Sequence, residues 1–323
     1  MKYQIKNFLG SDIEFNDLVR IKNLVNHDHI IHVDDVKKEW FQRDKKLISH
    51  KILLYDKMIL IGYLSYEQGR DENSRTCFFD IKLDPKFNQK GLRKLLYEEM
   101  LKCVKEFNCT KFTTSLFQHL NYYEYEQFLK NNNFKIGQVN FESSCDISNF
   151  DINRYSEFMN QLLSHGFIFY DSKNEMKDFP NHYKKLEKLI WTCSKDIPIP
   201  DGIIHTREPY EEYIKDQIDY EDNYYGTEVV CVKDGEYIGS TNLCVFPKSE
   251  PNKAWTGSLG VLRKYRRMGI ATGLKIKVIE FLMKKGIKEI RTDNEENNPM
   301  YHINVALGFK PEPSSLDYVK IIT

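Results

Sequence analysis

The order of secondary-structure signals in this 323-residue chain occurs twice, and that repetition limits the fold more than any single motif does. In the first half Tyr3–Phe8 reads as a strand and Asp17–Asn26 and Asp34–Arg43 as helices. Ile52–Tyr55 and Ile59–Tyr66 form a hairpin about Asp56-Lys57, followed by a strand at Thr76–Leu83 and a helix at Leu92–Phe107. A strand at Lys111–Leu116, a helix ending near Asn133 and a returning strand at Phe134–Phe141 close the set. The second half repeats the plan. Helical pattern covers Arg154–Leu163, Phe167–Tyr170 is a strand, and helices lie around Tyr183–Trp191 and Tyr210–Ile218. Val229–Val232 and Tyr237–Val245 form a hairpin across Lys233-Asp234-Gly235, and Trp255–Leu262 is a strand. Ala271–Lys285 is a helix closed by Gly286, Ile287–Thr292 a strand, and Pro299–Leu307 a helix stopped by Gly308. Two α+β domains follow, each a mostly antiparallel mixed sheet flanked by helices, over residues 1–145 and 146–323, with the boundary in the polar stretch Ser143–Asn149.

Charge and cysteine content narrow the function. Forty-seven basic residues balance 47 acidic ones, which gives no footprint for a nucleic-acid backbone or an anionic membrane. No stretch approaches the ~20 apolar residues of a membrane span, and the N-terminus lacks a secretory apolar run. The seven cysteines are scattered and never in C-x-x-C spacing, so they read as reduced thiols in a cytoplasmic protein. His27, His29 and His32 are close in sequence, but nothing completes a ligand set and no metal is expected.

The chemistry-bearing pattern lies in the second half. Leu259-Gly260-Val261 ends a strand, and Arg266-Arg267-Met268-Gly269-Ile270-Ala271-Thr272 opens a long helix. The first turn of a helix offers unpaired N–H groups and the positive end of the dipole, which suits a phosphate. Gly269 and Ala271 keep side chains out of that approach, and the two arginines add charged donors. After the next strand comes Asn297-Asn298-Pro299-Met300-Tyr301 and then Asn304-Val305-Ala306-Leu307-Gly308-Phe309.

Together, the R-x-x-G-x-A loop, the Gly260-Val261 strand before it and the N-x-P-M…N-x-x-L-G-F run after it resemble the GNAT superfamily of acyl-CoA N-acyltransferases. The tandem arrangement is similar to that of mycothiol synthase relatives, which commonly keep one working half. In the first half Leu83-Asp84-Pro85-Lys86-Phe87-Asn88-Gln89-Lys90-Gly91-Leu92-Arg93 looks like a worn copy of the loop, with Asn88 for the arginine or glutamine and Arg93 for the small residue. The resemblance implies acetyl-CoA as co-substrate, bound along Leu259, Gly260 and Val261 and by Arg266 through Thr272, with Asn297 and Asn304 near it. It also implies a backbone N–H, that of Val261, as donor to the thioester oxyanion.

For proton transfer the carboxylates to inspect are Glu228 and Asp293, although an acid at either position reads more readily as a solvated surface group. Asn304 stands where many members carry a tyrosine acid; Tyr301 could substitute or be ordinary helix packing. The expected acceptor is a small primary amine attacking directly in a ternary complex, in a monomer or homodimer without nucleic-acid or membrane partners. An acyl-CoA sensor, an aminoacyl-tRNA-dependent transferase and a protein acceptor remain as alternatives.

Overall fold

The computed structural model describes residues 3–26, 28–43, 45–69, 75–88, 91–118, 122–197, 206–223, 226–295 and 298–322, the side chains at 106–107 and 219–223 excepted. His27 and Asn297 lie outside the described residues. The chain divides into two compact units, one of Met1–Asn140 with Pro313–Thr323, the other of Phe141–Ile199 with Ile204–Glu312.

Unit 1 runs β1 (Tyr3–Asn7), α1 (Asp12–Val25), α2 (Val33–Gln42), β2 (Ser49–Asp56), β3 (Ile59–Gln68), β4 (Thr76–Leu83), α3 (Leu92–Cys103), β5 (Lys111–Phe117), α4 (Tyr123–Asn131) and β6 (Lys135–Asp146). Ser11 and Glu14 close a reciprocal capping box on α1, and His32 caps α2 through a hydrogen bond accepted from the Asp34 N–H. Phe15, Leu18 and Ile21 of α1 pack on Leu53, Leu60 and Tyr63, while α3 and α4 cover the strands with Leu96, Met100 and Leu129.

Unit 2 continues with α5 (Ser156–Ser164), β7 (Ile168–Asp171), α6 (Ser172–Glu175), α7 (His182–Ser194), α8 (Tyr210–Asn223), β8 (Thr227–Lys233), β9 (Glu236–Val245), β10 (Lys253–Val261), α9 (Ile270–Lys284), β11 (Glu289–Glu295), α10 (Met300–Ala306) and β12 (Lys310–Pro311), after which the chain returns to unit 1 as β13 (Ser315–Ile321). The β8–β9 turn has positive φ at both Asp234 and Gly235, as a two-residue hairpin of matching twist requires. Strand order in this unit is β7-β8-β9-β10-β11, all antiparallel except the β10–β11 pair. Apolar residues of α9 and α5 pack on one face with Val229, Cys231 and Leu243, and α7 packs on the other against Val230 and Tyr237.

The division of the chain at 145/146 expected from the sequence differs from the units in one respect. β13, the last strand, belongs to unit 1, where it pairs with β5 and with the Lys135–Asn140 half of β6. The Phe141–Asp146 half of β6 belongs to unit 2 and lies next to β11 in the strand order. Glu142 from that half accepts a 2.8 Å bond from Arg291 of β11, both side chains more than nine-tenths buried.

Candidate active site

The site begins as a defect in a ladder. β10 pairs in parallel with β11 from Lys253–Glu289 to Thr256–Thr292, and antiparallel with β9 along its length. Between Thr256, opposite Leu243, and Leu259, opposite Thr241, the two residues Gly257 and Ser258 face the single Asn242. An extra residue of this kind bends the strand, and the bend coincides with the last β10–β11 pair. A Cβ at Gly257 would stand 2.8 Å from Asn242 Oδ1, so the Asn242 side chain would have to shift to admit one.

Past the bulge β10 stays on β9 alone, ending at Val261 opposite Gly239. The Leu262 N–H donates to the Ile238 carbonyl at 2.8 Å. Antiparallel alternation therefore turns the N–H groups of Leu259 and Val261 the other way, toward the side that β11 has left. An edge of this kind pairs with an extended run of amides. Gly260 lies under α7, where a Cβ would meet Cys193 Cβ at 2.4 Å.

The chain then turns into α9 through Gly269, at φ +85 and with no side-chain cap, so the first N–H groups of the helix remain to be satisfied from outside. The two arginines of the loop are not equivalent. Arg266 binds Asp196 through Nη2 and the Val261 carbonyl through Nε at 2.9 Å, while Arg263 holds the same carboxylate. Hydrogen bonds from Arg263 and Arg266 hold the Asp196 carboxyl well below the usual carboxylate range. Arg267 is exposed, at φ +62, with no ion-pair partner among the described residues. Met268 is half exposed, Ile270 is buried, and Ala271 and Thr272 are partly buried. Phe158 of α5 would come within 3.0 Å of a Cβ at Gly269, so packing as well as the positive φ selects that glycine.

On the α7 side of the sheet lies a cavity of about 350 Å³. Glu228, Ser240, Asn242 and Ser258–Gly260 form its strand wall, and residues of α7, α8 and the segment before α8 complete it. Glu228 is only 4% exposed, on β8 opposite Asn242. Asp293 is exposed and does not line the cavity. Asn304 is fully buried, donating to Asn294 Oδ1 at 2.6 Å while its own Oδ1 has no partner. Tyr301 packs its ring against Phe141 at 5.3 Å.

Sequence reasoning missed Lys275. It lies on α9 inside the core stripe, completely buried, and donates to Thr256 Oγ1 at 2.7 Å and Thr292 Oγ1 at 3.4 Å. One amine thus ties together the last residue pair before the strands part. Burial lowers its pKa to about 7, opposed by nearby Asp293. A lysine on an apolar helix face was the available signal.

Unit 1 has the same element order without the same opening. β4 pairs with β3 without irregularity from Leu83–Gly62 to Cys77–Gln68, so it has no bulge, and its parallel pairing with β5 stops at Phe78–Thr113. The Ile81 N–H, which matches that of Leu259, donates to the Tyr125 hydroxyl at 3.1 Å. Arg93 lies over the Tyr125 ring at 5.2 Å and bonds Asn88. The cavity left there is about 40 Å³, enough for a water or two.

The bulged strand, the parting of β10 from β11 and the glycine-capped helix define the GNAT fold in unit 2. Residues 184–309 match the Acetyltransferase (GNAT) family. Over 99% of its length the chain is similar to a tandem GNAT protein from the clavulanic acid biosynthesis pathway, at 14% identity and TM-score 0.77, covering 98% of that chain. A GCN5-related N-acetyltransferase from Sphaerobacter thermophilus aligns over 99% of this chain and 96% of its own, at 11% identity and TM-score 0.70. A fungal glucosamine N-acetyltransferase region aligns over 98% of this chain and 38% of that one, at 11% identity and TM-score 0.75. No curated protein sequence matches. Residues 184–309 are thus similar to the GNAT acetyltransferases, and the chain has the fold of a tandem GNAT protein. Among the described residues no helix is long and apolar enough to cross a membrane, and no group of three or more His, Cys, Asp or Glu could hold a metal ion.

Proposed function

We propose that unit 2 transfers an acetyl group from acetyl-CoA to a primary amine, and that unit 1 is the non-binding copy. The observation that carries this reading is the bulged edge of Leu259–Val261, open on the β11 side and adjoining an acid-bearing cavity. Acetyl-CoA supplies an activated acyl group on a good leaving thiol. The first-turn N–H groups of α9 and Arg267 suit its phosphates, and the Leu259 and Val261 N–H groups suit its amide arm and thioester oxygen. Positioning of a neutral amine beside the thioester carries most of the rate gain.

Glu228 is the carboxylate placed to take a proton from the incoming amine, being buried and in the cavity wall. Asn304, bonded to Asn294 on β11, is the polar group on the far side of the opening. Cys193 is the one cysteine in the cavity wall among the described residues, and burial pushes its thiol up to about 11. A thiol held protonated is a poor acyl acceptor, which favours direct attack over an acyl-enzyme. The free cysteines suit a reducing, cytoplasmic setting.

The test is thiol release on mixing the protein with acetyl-CoA and primary amines. Glu228→Gln lowers kcat by about 10²–10⁴-fold with coenzyme affinity kept. Coenzyme binding without transfer to any amine would instead make the chain an acyl-CoA sensor.

A further inference from the structure

A carboxylate is joined to the loop before α9, where an anion site gains nothing from negative charge. Asp196 follows α7, its N–H donating to the Cys193 carbonyl at 3.0 Å, and its carboxylate accepts from Arg263 and Arg266 together. The Asp196 side chain is 18% exposed, against 80% for Arg263 and 41% for Arg266, so the carboxylate is the enclosed member of the group. It weakens the attraction of the loop for phosphate, and what it holds in return is Arg266.

Arg266 spans two elements. Its Nη2 lies on Asp196, and its Nε donates to the Val261 carbonyl at 2.9 Å. Leu262 bonds back to Ile238 of β9, so the Val261 carbonyl, like the Val261 N–H, is turned toward the side that β11 has left. Arg266 therefore takes the last acceptor of the open edge and leaves the Val261 N–H as the last group there to offer a ligand. One residue earlier, Gly260 lies so close to Cys193 that a Cβ would stand 2.4 Å away. The end of α7 thus meets two consecutive residues of the edge, by packing at Gly260 and through a charged strut at Val261. A planar guanidinium held at two of its nitrogens is fixed in orientation, and the carboxylate decides where the strut stands. We propose that Asp196 is a positioning residue of the coenzyme edge, holding Arg266 on the Val261 carbonyl so that the edge is set for the amide arm of the coenzyme. This rests on the coenzyme reading above and assigns Arg266 to the edge instead of the phosphates.

The test is calorimetric titration of the full chain with two probes, acetyl-CoA and adenosine 3′,5′-bisphosphate, which has the coenzyme's nucleotide and lacks its arm. In Asp196→Ala the bisphosphate is expected to bind as in the native chain or up to about threefold tighter, because a negative charge has gone. Acetyl-CoA is expected to bind at least about tenfold more weakly, the effect of one charge-assisted hydrogen bond. The double variant Asp196→Ala/Arg266→Ala is expected to lose no more than Arg266→Ala alone, as residues acting through one contact do. Tighter or unchanged binding of both probes would reduce Asp196 to a counter-charge and overturn the proposal. Equal weakening of both would mean general support of the fold, and additive losses would mean that Asp196 does not act through Arg266; either overturns it. Failure of the native chain to bind acetyl-CoA would overturn the coenzyme reading beneath it.

Discussion

The hydroxyl of Tyr125 accepts a hydrogen bond from the Ile81 N–H at 3.1 Å, a contact at the strand edge that the second copy of the fold lacks at Leu259. In unit 1 a side chain occupies the strand edge that in unit 2, at Leu259, is turned toward the gap left by β11. Tyr125 is held in place by Thr114 Oγ1 at 3.2 Å and by Arg93 over its ring. Arg93 stands at the loop position where unit 2 has Ala271, so the substitution visible in the sequence and the plugged edge are parts of one arrangement.

Tyr125→Phe removes the hydroxyl and leaves the buried Ile81 N–H without its acceptor. The expected cost is about 1–3 kcal/mol of stability, read by urea unfolding. Acetyl transfer in unit 2 keeps its kcat and KM. A rise in coenzyme stoichiometry in this variant would show that unit 1 is a suppressed site.

Gly260→Ala probes the edge itself. The new Cβ would lie 2.4 Å from Cys193 Cβ, so β10 or α7 must move. Displacement of the Leu259–Val261 edge raises the coenzyme KM and lowers kcat/KM by an expected factor of about 10². Gly260→Ala with Cys193→Gly in the same chain relieves the contact and recovers part of the loss. Full activity in the single variant would mean that this edge does not position the thioester.

Lys275 makes a prediction about pH. Its pKa is lowered from 10.5 to about 7 on folding, so between those values the unfolded chain holds the extra proton. Stability from this group therefore rises as pH increases from about 7 toward 10.5, and below 7 the burial penalty is present in full. Lys275→Met removes that dependence. Relative to the variant, the native protein gains a few kcal/mol between pH 6.5 and 10, measured by denaturant midpoints at several pH values. A stability difference that stays constant with pH would contradict a neutral buried amine at this position.

Much of the framework was legible in the sequence because it depends on local chemistry. The Asp234-Gly235 turn, the Gly269 start of α9 and its stop at Gly286 all have positive φ at the expected residue. The bulge was not legible, since Gly257-Ser258 reads like any strand interior and the irregularity shows only in its pairing with β9, where both residues face Asn242. β13 was hidden for a related reason: Ser315–Ile321 finds partners in β5 and β6, nearly 200 residues away, and no local pattern specifies that. Glu208 and Asp216 lie in a polar segment that looks like a solvated helix face until the β8–β10 wall is placed opposite. Glu228 was named from sequence and lies in the cavity wall; Asp293 was named beside it and is exposed outside that wall.

The central claim is that one unit of two holds the coenzyme, and equilibrium titration of the purified chain with acetyl-CoA tests it most directly. The account predicts one saturable site per chain, weakened at least tenfold by Arg267→Glu in the loop of unit 2 and retained in Tyr125→Phe. Two sites per chain would contradict the assignment of unit 1, and no saturable binding would contradict the account as a whole.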